Sequence, residues 1–70
     1  MAREAALHRV NPYLLHGEQY YQLFYSYANE PETVREARLA HTNIYPDPKE
    51  GDTVLIEAVL NIITEIKRKE

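Results

Sequence analysis

The run "TVLIEAVLNIITEI", residues 53–66, interrupts its apolar side chains only at Glu57, Asn61, Thr64 and Glu65 after the opening threonine. Steps of four, three and one residues between those polar positions are helical spacing, and the run is long for a strand. The β-branched residues in it favour strands, but the spacing outweighs them and predicts a helix over about 52–68. Asp52 suits its N-cap, and Lys67, Arg68 and Lys69 suit the negative end of its dipole. On a helical wheel Leu55, Val59, Ile62 and Ile66 form the centre of the apolar stripe. Val54 and Ala58 widen one edge, and Ile56, Leu60 and Ile63 widen the other. The stripe covers about 240°, where one face of a surface helix needs little more than 100°. Such a helix needs cover on two sides.

The second apolar region is aromatic. "YYQLFYSYAN", residues 20–29, places Tyr20, Tyr21, Phe24, Tyr25 and Tyr27 close together. Asn11 followed by Pro12 reads as an N-cap with proline at the first helical position, and Asn29 reads as a left-handed closing residue. These signals predict a helix over about 12–28. Its wheel puts Tyr20, Phe24 and Tyr27 in the core and Tyr21 and Tyr25 on a flank, while Gln19, Gln22 and Ser26 lie opposite. Pro31 restarts the pattern, so "PETVREARLAH" predicts a short helix over 31–42. "YPDPKEGD", residues 45–52, is a loop because its prolines and glycine break either regular structure. The expected fold is therefore all-α: one helical domain over 1–70 with three helices, and residues 1–10 loosely attached.

Chain length sharpens the picture. A 70-residue chain buries roughly 60% of the surface that its unfolded form exposes, and the apolar gain then barely offsets the entropy of ordering it. There is no cysteine to add a disulfide or a thiolate metal site. Association remains as the supplement. The expected function is a non-catalytic protein-protein interaction module, a homodimer or a small accessory subunit of a larger assembly. Its contact surface is expected on Leu55, Val59, Ile62, Ile63 and Ile66, extended by Tyr21 and Tyr25.

Charge and candidate chemistry modify this little. The formal net charge is −3, with acids concentrated in the body and bases at the ends: Arg3, Arg9, Lys67, Arg68 and Lys69. An acidic body disfavours phosphate backbones, so a nucleic-acid-associated, antitoxin-like dimer using those basic ends is the alternative. No stretch has the length of a signal peptide or a transmembrane helix, and a cytoplasmic protein is expected. His8, His16 and His41 lack metal-ligand spacing, so no metal or cofactor is expected. Arg35, Arg38 and His41 share a face of the short helix and read as solvated. Asp47, Glu50 and Asp52 lack the alternation of a calcium loop. Ser26, the lone serine, has no visible activating partner, and no catalytic residue is expected.

Overall fold

The computed structural model describes residues 2–69 and overturns the helical expectation. It is all-β: β1 (Arg3–Leu15), β2 (Glu18–Tyr27), β3 (Arg35–Ala40), β4 (Thr53–Val59) and β5 (Ile62–Arg68) form one antiparallel sheet in the order β3-β2-β1-β4-β5. The described residues contain no α-helix, only a short 3-10 turn at His41–Asn43. None of the helices expected over 12–28, 31–42 and 52–68 forms. Residues 3–10, expected to hang loosely, belong to the central strand, with β2 on one side and β4 on the other.

Three consecutive strands joined by short connections, with the fourth returning beside the first, make a Greek key. The sheet then curls toward closure. Ile44, just beyond β3, bridges Ile66 of β5 in parallel, and the Tyr45 N–H donates to the Ile66 carbonyl at 3.2 Å. Asn43 Nδ2 donates to the Thr64 carbonyl at 2.9 Å. No ladder joins β3 itself to β5, so the barrel is open along that seam.

Two tight turns explain why the strands reverse where they do. His16 and Gly17 have φ of 51° and 81°, and Leu60 and Asn61 have φ of 51° and 67°. Two successive positive φ values define the turn whose twist matches a two-residue hairpin. The proposed last helix is thus a hairpin folded at Leu60-Asn61.

Strand alternation sorts the aromatic run differently from the wheel. Along β2, Leu23, Tyr25 and Tyr27 are buried inward with Tyr21 against them, while Tyr20, Gln22 and Phe24 share the outer face. Ala5, Leu7, Leu39, Ile44, Val54, Ile56 and Ile66 complete the core. Pro12 sits in β1 beyond the reach of β4, which pairs only with Arg3 through Ala6. Its missing N–H therefore leaves no central ladder bond unmade.

A polar clasp holds the long loop. The Tyr45 hydroxyl donates to Asp52 Oδ2 at 2.7 Å, and the Lys49 N–H reaches the same oxygen at 3.2 Å. The hydrogen bond from Tyr45 holds the Asp52 carboxyl below its ordinary range. Burial, reinforced by that bond, raises the Tyr45 phenol.

Candidate functional site

The open seam holds a cleft of about 540 Å³ lined by Arg3, Tyr25, Tyr27, Arg35, Ile56, Ala58, Leu60, Asn61 and Ile63. Its walls follow from strand parity. Ile56 and Ala58 point inward from β4, and Ile63 faces Ala58 from β5. Arg35 is the cross-strand partner of Tyr25 and stands where the barrel wall ends. Arg3 lies with its guanidinium carbon 3.7 Å from the centre of the Tyr27 ring, and Arg35 approaches the same ring at 5.6 Å. Both distances are within the range of cation–π attraction.

A single carboxylate serves both guanidiniums. Glu30 lies 3.8 Å from Arg3 and 3.4 Å from Arg35, and Arg3 also donates to Asn29 Oδ1 at 2.9 Å. Tyr25 and Tyr27 meet edge to face with centroids 5.5 Å apart. Burial, with Tyr27 alongside, pushes the Tyr25 hydroxyl up to about 12, so it stays a neutral donor at ordinary pH. The cleft thus joins an apolar wall to two cations and two phenols.

The β4–β5 hairpin tip rises beside this cleft. Val59, Leu60 and Ile62 are 62%, 90% and 69% exposed, and Val59 and Ile62 are cross-strand partners. Leu60 holds a left-handed backbone conformation, which costs a bulky residue on the order of 1–2 kcal/mol relative to its right-handed state. None of the described residues covers the side chain placed there.

No family model, curated protein or solved structure matches this chain.

The expected contact residues are divided by the structure. Val59 and Ile62 come together on the tip, Ile63 packs partly against the core, and Leu55 is half-buried opposite Lys67 and Glu4. Ile66 and Tyr25 are buried in the core, and Tyr21 packs against it. Ile66 leaves the outer surface, Tyr25 shows only toward the cleft, and Tyr21 is partly covered, because inward parity in a sheet replaces the flank of a wheel. Leu60, on the edge of the expected stripe, becomes the most exposed large apolar side chain of the tip. Its neighbour Asn61 is the signal that sequence reasoning missed, since asparagine tolerates a left-handed turn.

The outer face of β1, β2 and β3 carries a second, shallower feature. Tyr13 and Tyr20 stack with centroids 5.7 Å apart, and Asn11, Tyr13, Gln22 and Arg38 surround a depression of about 270 Å³. Glu36 occupies the same face, paired to Arg38 and hydrogen-bonded by Gln22. Among the basic residues near the ends, Arg3 pairs with Glu30, Lys67 with Glu65 and Lys69 with Glu4.

Remaining candidates separate. Arg35 faces the seam, Arg38 lies on the outer face, and His41 begins the 3-10 turn, so the face expected to unite them does not exist. Ser26 does gain a partner: His8 Nε2 lies 2.7 Å from its Oγ. The Ser26 residue is 3% exposed in the sheet. The contact satisfies a buried hydroxyl rather than presenting a nucleophile. Among the described residues, no cluster of three or more histidine, aspartate or glutamate side chains is placed to hold a metal ion. No helix among them is long and apolar enough to cross a membrane.

Proposed function

We propose that this chain is a non-catalytic association module, a small cytoplasmic β-barrel that pairs with a second copy through its β4–β5 tip. Leu60 carries the reading. It is 90% exposed, flanked by Val59 and Ile62, and held in a conformation that asparagine or glycine would adopt at lower cost. An apolar tip is self-complementary, so a two-fold pair needs no separate complementary charge. The small core gives the same direction, because burial against a second copy adds the apolar area that 70 residues lack. Neighbouring parts of the barrel end must join the contact, since a stable interface takes roughly 800 Å² from each partner.

Sedimentation velocity from micromolar to millimolar concentration, repeated with Leu60→Asn, tests this. The native chain is expected to rise from 8.2 kDa toward twice that mass. Leu60→Asn should stay monomeric and, at concentrations where the native chain is also monomeric, melt no lower than it. A native chain that remains monomeric throughout, or a variant that associates as well, overturns the proposal.

A second reading rests on the stacked Tyr13–Tyr20 pair beside Arg38. Five-stranded Greek-key barrels of the oligonucleotide-binding type use the face around their second and third strands, where aromatic rings stack on bases. It predicts binding of an oligothymidylate at low salt that weakens on Tyr20→Ala. No binding at low salt removes this reading.

A further inference from the structure

The cleft itself has the chemistry of a ligand site. Among the described residues its cations, Arg3 and Arg35, share one carboxylate, leaving a local excess of positive charge in a chain whose formal net charge is −3. Glu30 satisfies them poorly: 3.8 and 3.4 Å are long beside the 2.7–2.9 Å of a charge-assisted hydrogen bond. It comes from the segment between β2 and β3, outside either ladder. Just inside lie the two phenols, and beyond them Ala58 and Ile63, over buried Ile56. At about 540 Å³ the cleft falls within the ordinary range of small-molecule sites.

We propose that the seam cleft binds a small amphipathic carboxylate, its head held by Arg3 and Arg35 in place of Glu30 and its apolar body laid on Ala58 and Ile63. The order of polarity in the cleft fixes the orientation of the guest. Guanidiniums take the carboxylate at the mouth, and a hydrocarbon or ring displaces water from the aliphatic wall. Glu30 then acts as an internal competitor. It neutralises the arginines in the empty site and moves aside when a better-placed carboxylate arrives. A cationic or neutral molecule of the same shape lacks the head-group attraction and binds more weakly. The inference does not depend on self-association, because every residue named in it belongs to one chain.

The test is an NMR titration of the full chain with octanoate, with octyltrimethylammonium and octanol as matched controls. Protein concentration is kept where sedimentation shows the monomer. Saturable octanoate shifts are expected at Arg35, Tyr25, Tyr27 and Ile63, with the controls weaker. Arg35→Gln should weaken octanoate on the order of tenfold, the scale of one lost hydrogen bond to a charged group. Glu30→Gln should tighten it several-fold. Should Arg35→Gln not fold, Glu30→Gln decides alone, since its site lies outside the sheet.

Absence of saturable shifts, equal binding of octanol, or weaker octanoate binding to Glu30→Gln each overturns the proposal. Shifts centred on Leu14 and Leu15 at the far hairpin do the same. Loss of self-association with octanoate binding intact would remove the dimer reading and leave this one standing.

Discussion

At the residue scale, the polar groups that matter most are those tied to the backbone path. Tyr45 and Asp52 close the loop between β3 and β4 with a hydroxyl donating at 2.7 Å. Tyr45→Phe should cost about 1 kcal/mol in a denaturant titration, the net worth of one such bond. A lowered Asp52 pKa means that its contribution is present above the unfolded value and fades as pH falls through the folded one. Tyr45→Phe should therefore also flatten the acid limb of the stability profile. Tyr25 acts at the other extreme. Its pKa is raised from 10.0 to about 12, so its contribution is complete below the unfolded value and lost as pH climbs between them. Equilibrium unfolding followed from pH 9 to 12 should show falling stability, and Tyr25→Phe should reduce that slope. Tyr45, also raised, should leave part of it in place.

Elements explain why the helical reading was attractive and failed. A strand places alternate residues on one face, but a bulge adds one residue and shifts the parity. Between Leu7 and Arg9 the register slips, so Leu7 and Val10 both reach the inner side. In β5 the slip opposite Glu57 and Ala58 does the same for Ile63 and Ile66. Both pairs are three residues apart, which sequence reading takes for a turn of helix. The polar positions of the final segment also have mixed origins: Asn61 is in the hairpin turn and Thr64 at the bulge. At the junction of β4 and β5, Leu60→Asn should relieve the turn and, compared with the native chain as a monomer, leave the melting temperature unchanged or a few degrees higher. A gain of 1 kcal/mol would correspond to roughly 4–8 °C in a domain this small. Ile66→Ala should cost about 2–5 kcal/mol, because the side chain it truncates is 1% exposed beneath the seam.

For the whole molecule, the decisive contact is long-range. β1 pairs with β4 through Arg3 to Ala6 against Thr53 to Ile56, joining the two ends of the chain. Deleting residues 1–8 should therefore abolish cooperative thermal unfolding, whereas removing a loosely attached tail would leave it intact. Ala5 and Leu7, each 1% exposed, are lost with that segment. The same long-range pairing predicts folding in milliseconds to seconds, because distant strands must meet before their contacts form. Stopped-flow refolding measures it directly.

Some of this was legible in the residues themselves. The prolines and glycine of 45–52 mark a loop, and the apolar run 53–66 supplies Val54, Ile56 and Ile66 to the core. Those features are local, set by ring closure, backbone freedom and solvation. Sheet or helix was not local. Hairpin turns at His16-Gly17 and Leu60-Asn61, two bulges and the pairing of β1 with β4 determined which side chains face inward. Burial depends on that parity, and a strand acquires it only from its neighbours. The tertiary structure alone separated buried Tyr25 and Ile66 from exposed Val59 and Ile62, and brought Arg3 and Arg35 to one cleft.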